Sequence, residues 1–154
     1  MRSFRQDHGN RLFRKKDFDA ALKWYFKAVH LAELCIPNDS RERSEIDSER
    51  YICLNNVAAC QIGLEQYQKC VETCTEALEA SEGSDIKALF RRAKAFRHLC
   101  KFQEAFDDLK VAIKIDVVPT LGRSLRIELE VLKASNKIYQ SRTKAMAKRM
   151  MSSF

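Results

Sequence analysis

Glycine and proline are scarce in this 154-residue chain, at four and two residues, and that scarcity argues against many short strands joined by tight turns. No run of the sequence reaches the roughly eighteen apolar residues that a membrane-spanning helix needs. The opening MRSFRQDHGN has no apolar core of the kind a secretory leader carries, so the expected compartment is the cytoplasm, with the nucleus as a second. The cysteines, Cys35, Cys53, Cys60, Cys70, Cys74 and Cys100, include no C-x-x-C pair, and His8, His30 and His98 are scattered without ligand spacing. Neither a metal site nor a disulfide framework is expected, and the thiols read as reduced, small apolar side chains on helix faces. A glycine-rich phosphate loop and a nucleophile-base set are also missing, so neither catalysis nor a cofactor is expected.

What the chain has is helix-forming composition. Apolar residues make up 45% and charged residues 32%, enough for one domain with a sizeable core. The net charge of +7 and isoelectric point near 9.2 favour an acidic partner, although sign alone does not choose among nucleic acid, anionic lipid and acidic peptide. The aromatic residues fall at repeat-packing positions and do not alternate with basic ones, so nucleic acid is not expected.

Those packing positions recur. Gly9, Phe18, Ala21 and Ala28 are separated by nine, three and seven residues; Ala58, Tyr67, Cys70 and Ala77 repeat that spacing, and so do Ala93, Phe102, Ala105 and Ala112. A unit of this length with two helical stretches is the sequence form of a solenoid in which each unit buries its apolar face only against its neighbours. Helices are expected over about 3–15, 18–34, 40–62, 67–80, 85–99 and 102–115. The units span about 2–36, 51–84 and 86–117. Their small residues lie 49 and then 35 residues apart, so the first interval holds an insertion, placed at 37–50.

Within the insertion Pro37 breaks the chain, and Asp39 with Glu42 reads as a capping box for a long third helix whose charged first half is expected to project into solvent. Gly83 in SEGS suits a left-handed helix end. Residues 118–154 form a second region. After Pro119 a seventh helix is expected, with Leu121, Leu125, Leu129, Leu132 and Ile138 as the stripe that closes the last unit. Its basic, Met-rich second half, YQSRTKAMAKRMMSSF, reads foremost as a protruding solvated helix end, with a calmodulin-binding or anionic-surface segment as the lesser reading.

These residues resemble the tetratricopeptide repeat (TPR), in which small residues lie where helices A and B of each unit cross and an aromatic opens helix B. The resemblance covers about residues 2–117 and implies an all-α, right-handed superhelix of three TPR units plus a long C-terminal helix. The insertion and the terminal helix look most like the TPR domain of FKBP-type immunophilins and their relatives. That likeness implies a cochaperone or adaptor that docks the acidic EEVD tail of ninety- or seventy-kilodalton heat-shock chaperones. A prolyl-isomerase domain, which that family often carries upstream, has no counterpart in these residues.

The resemblance also implies a two-carboxylate clamp. Carried over by position, its members are Asn10, which follows Gly9; Asn56, two before Ala58; and Lys87 and Arg91 in the IKALFRR segment. The fifth member, a lysine four residues before the first asparagine, is Gln6 here. Phe13 and Ala59, one turn beyond the asparagines, correspond to the apolar groove lining, and core packing fits Ala59 as well. The chemistry is coherent: Lys87 and Arg91 are four apart and share a helix face. Lysine offers a compact charge and arginine a planar donor fork for the two carboxylates of a terminal aspartate. Gln6 removes a cation. A hydrogen bond to a charged group contributes about 1.5–3 kcal/mol against about 1 for a neutral one, so the departure weakens such a clamp roughly tenfold. Arg5 and Arg11 lie one residue out of register to replace it.

Overall fold

The computed structural model describes residues 2–116 and 121–152, with backbone alone at 2–5. Its helices are α1 (Arg2–Arg14), α2 (Phe18–Leu34), α3 (Ser40–Gly63), α4 (Tyr67–Ala80), α5 (Ile86–His98), α6 (Phe102–Ile115) and α7 (Gly122–Met151). Among the described residues there is no strand. Each helix packs on its successor, while α3 also touches α5 and α5 touches α7. The pairs α1–α2, α3–α4 and α5–α6 therefore stack in order, and α7 closes the last. The expected boundary at 117/118, with Pro119, falls outside the described residues.

Close approach between helices depends on the recurring small residues. Gly9, Ala58 and Ala93 are all buried, and a Cβ at Gly9 would lie 2.7 Å from the Tyr25 ring. The aromatics nine residues later reach across to the next unit. Phe18 lies so near Gly63 that a Cβ there would be 2.6 Å from its ring. Tyr67 stacks on His98 with centroids 4.2 Å apart. Gly63 and His98 occupy the same place, five residues beyond their unit's small residue. Phe102 makes the corresponding contact with α7, its ring 5.3 Å from Tyr139.

The A-to-B turns repeat as closely. Lys16, Glu65 and Cys100, each seven residues past the small residue, have positive φ of 62°, 58° and 58°. This left-handed step turns the following N–H groups back onto the helix: Asp17 donates to Leu12 O, Gln66 to Gln61 O and Lys101 to Phe96 O. Carbonyls that the helix end would leave unpaired are thereby satisfied. At the end of α4 the same job falls to Glu82 and Gly83, with φ of 52° and 78°, and Gly83 N donates to Leu78 O at 2.7 Å.

Three expectations need correction. The first half of α3 does not project freely: Ile46 is buried, and Arg50 pairs with Glu33 of α2 at 3.5 Å and with Glu76 of α4. One apolar and one long amphipathic side chain at four-residue spacing suffice to dock a helix that is otherwise charged. The start of α3 also differs from a capping box. Asp39 accepts from Glu42 N at 2.7 Å, whereas Glu42 reaches back to both nitrogens of Asn38 at 2.9 Å.

Finally, Ile138 is 54% exposed while Leu125 and Leu132 are wholly buried. Six residues past Leu132 puts Ile138 across the helix, whereas seven puts Tyr139 on the packed face. Leu121 and Leu129 are half-buried against the core as expected, and Arg97 of α5 anchors α7 through Glu128 at 2.7 Å. From Lys137 to Met151 the helix is exposed, Tyr139 keeping one edge against Phe102.

Four cysteines are buried, and Cys35 and Cys100 are exposed. Burial pushes Cys53 up to about 11 and Cys60 up to about 12, so both remain thiols packed as apolar groups.

A non-glycine residue in the left-handed region costs about 1–2 kcal/mol, offset in part by the greater backbone entropy glycine loses on folding. Cys100→Gly should therefore stabilise the protein by about 0.5–1 kcal/mol, read as a rise of roughly 2 °C in thermal midpoint.

Candidate peptide-binding site

Helix α5 supplies the cations. Asp85 is its N-cap and accepts from Lys87 N at 2.8 Å, which starts the helix so that Lys87 and Arg91, one turn apart, share a face. The other two arginines of α5 are engaged in structure. Arg92 forms a two-pronged pair with Asp108 of α6, at 2.7 and 2.8 Å, and donates to Thr75 of α4 at 3.1 Å. Arg97 holds Glu128 of α7. Among the described residues no carboxylate pairs with Arg91, whose guanidinium donates instead to Asn55 Oδ1 at 2.8 Å.

Lys87 and Arg91 line a cleft of about 330 Å³ between α3 and α5, together with Asn56, Tyr51, Ile52, Asn55, Ser84, Asp85, Ile86 and Leu121. Asn10 lies beside it: Asn56 Nδ2 is 3.5 Å from Asn10 Oδ1. That oxygen also accepts from the hydroxyl of Tyr25 at 2.6 Å. Burial pushes Tyr25 up to about 12, so it stays a phenol and a donor. With its oxygen committed to α2 and α3, the Asn10 amide keeps its nitrogen as the remaining donor. Gly9 makes this arrangement fit, because a Cβ there would meet the Tyr25 ring.

The other expected residues sit at the margins. Gln6, one turn before Asn10, is half-buried and does not line the cleft. Phe13 is half-buried and packs edge-on against Phe18 at 5.3 Å, in a small apolar cluster with Tyr25, Val57 and Cys60. Ala59 is half-buried. Arg11 points elsewhere, toward His8 at 3.4 Å.

Two members of the site were not singled out from sequence. Asn55 and Asp85 are only 6% and 7% exposed, and Asn55 Nδ2 donates to Asp85 Oδ2 at 2.5 Å. Burial and the Asp85 carboxylate push the Tyr51 phenol well up. The double asparagine at 55–56 was the available signal; repeat register selects its second member and is silent about its first.

The stacked pairs, with a polar cleft between α3 and α5, define a helical-repeat protein-interaction module. In comparison with known proteins, no family model matches the chain. Among curated relatives it is 33% identical over 108 residues to the Arabidopsis thaliana peptidyl-prolyl cis-trans isomerase PASTICCINO1, covering 70% of this chain and 17% of that protein. It is 30% identical over 144 residues to mouse sperm-associated antigen 1, covering 93% and 14%. The chain thus spans less than a fifth of the length of either relative.

Solved structures agree on architecture. The C-terminal TPR-containing domain of a Plasmodium falciparum FK506-binding protein superposes with a TM-score of 0.77 at 20% identity, covering 92% of this chain and 91% of that one. The Saccharomyces cerevisiae Hsp90 co-chaperone Cns1 gives 0.74 at 26%, covering 98% and 44%. The C. elegans myosin chaperone UNC-45, in complex with an Hsp90 peptide, gives 0.70 at 25%, covering 96% and 15%. The chain is a tetratricopeptide-repeat domain.

The Tyr25–Asn10 contact joins the fold to the site. Tyr25→Phe keeps the ring and removes one partly buried hydrogen bond, so stability should fall by about 1 kcal/mol in urea unfolding.

Proposed function

We propose that this domain captures an acidic C-terminal peptide of a heat-shock chaperone, acting as a cochaperone or adaptor in the cytoplasm. The observation that carries the reading is the sorting of cations on α5: Arg92 and Arg97 are neutralised by Asp108 and Glu128, whereas Lys87 and Arg91 face the cleft beside Asn56. A site with two cations that no described carboxylate pairs with, together with amide donors, suits the paired carboxylates of a terminal aspartate. The likeness to Cns1 and to UNC-45 with its Hsp90 peptide supports the same reading. The domain is read as a binding module, and a prolyl-isomerase assay of this chain should give background rates.

Gln6 favours one alternative, a clamp altered to suit a different acidic partner. A lysine there would add a third cation near the Asn10 end of the groove. The relatives lend nothing to calmodulin as a partner for the basic half of α7, and none is proposed.

Fluorescence anisotropy with a labelled peptide ending in EEVD tests the proposal. Arg91→Ala should weaken binding by about 2 kcal/mol, roughly thirtyfold, and amidating the peptide's terminus should have a similar effect. Equal binding of free-acid and amidated peptides would show that the cleft does not read a terminal carboxylate. Gln6→Lys should tighten binding roughly tenfold if the family's clamp is merely weakened; unchanged affinity would favour the altered-partner alternative.

A further inference from the structure

Asn55 lies at the centre of a short chain of hydrogen bonds. Its Oδ1 accepts from Arg91 Nη1 at 2.8 Å, and its Nδ2 donates to Asp85 Oδ2 at 2.5 Å. The other Asp85 oxygen accepts from the Lys87 main-chain N–H at 2.8 Å. One buried amide therefore connects the first turn of α5, where Lys87 sits, with the guanidinium one turn further on.

We propose that Asn55 is a positioning residue for the binding site: it fixes the Arg91 guanidinium toward the cleft while holding the Asp85 carboxylate away from it. The proposal rests on the reading of the cleft as a carboxylate site.

The physical argument is one of charge. Asp85 also lines the cleft, and a carboxylate so near an arginine would ordinarily take it as a direct partner, as Asp108 takes Arg92 and Glu128 takes Arg97. Such a pair would cancel the charge that an acidic ligand needs. Asn55 prevents this by giving each group a neutral partner: a carbonyl for the cation and an amide N–H for the anion. Both Asp85 oxygens are then occupied by N–H donors, and the remaining four guanidinium donors of Arg91 are left for other acceptors. Because Asn55 is 6% exposed and bonded at both ends, its rotamer is held before any ligand arrives. That lowers the ordering cost of binding.

The test measures anisotropy with EEVD peptides carrying a free or an amidated C-terminus, on the wild type, Asn55→Ala, Asn55→Ser and Asp85→Ser. In Asp85→Ser the hydroxyl keeps an N-cap for α5 but the carboxylate is removed. The wild type should prefer the free acid roughly thirtyfold. In Asn55→Ala that ratio should fall about tenfold, the loss falling mainly on the free-acid peptide. A purely structural role would weaken both peptides together. Asp85→Ser removes the anion that Asn55 keeps from Arg91, so it should hold or raise the ratio, whereas Asn55→Ser should lower it and carries the test if Asn55→Ala does not fold. A wild type that prefers the free acid alongside folded Asn55 variants that keep the full ratio overturns the positioning role alone. A wild type without preference overturns the carboxylate reading on which it stands.

Discussion

The whole arrangement depends on how closely two helices of a unit can approach, and that is limited by one side chain per unit. Gly9, Ala58 and Ala93 remove the bulk that would hold the pairs apart. Only at this separation do the aromatics that open α2, α4 and α6 extend far enough to cover the next A-type helix, at Gly63, His98 and Tyr139. Unit-to-unit packing is thus a consequence of packing within the unit. The same approach brings Tyr25 to Asn10, so the geometry of the cleft wall follows from the absence of a Cβ on the neighbouring residue.

Repetition also explains how α5 serves two purposes. Its three arginines are chemically alike, and their partners decide their fates. Arg92 and Arg97 are about four-fifths buried against acidic residues on α6 and α7, where losing one partner would leave a largely buried charge uncompensated. Arg91 meets a neutral amide instead. The same helix thus supplies a counter-ion at two positions and a neutral partner at a third.

Much of this was legible in the sequence because the repeat converts spacing into position. The nine-three-seven spacing specified helix order, and register pointed to Asn56, Lys87 and Arg91, which line one cleft. What escaped depended on contacts between residues distant in the chain. Asn55 acquires its role from Asp85, thirty residues away, and Arg91, thirty-six away, neither of which constrains local pattern. The docking of α3 rests on the burial of Ile46 and on Arg50 meeting carboxylates of α2 and α4, in a segment whose charge alone reads as solvated. Ile138 was misplaced because a stripe judged by apolar content ignores a single residue of phase, which is 100° around a helix.

The length of α3 has a mechanical meaning. A stack in which units touch only their neighbours is compliant, like a spring, because every joint can flex slightly. Here one rod of 24 residues, about 36 Å long, is fastened near its middle to α2 and α4 by Arg50 and carries Asn55 and Asn56 just beyond. It braces the joint between the first two units as a splint would.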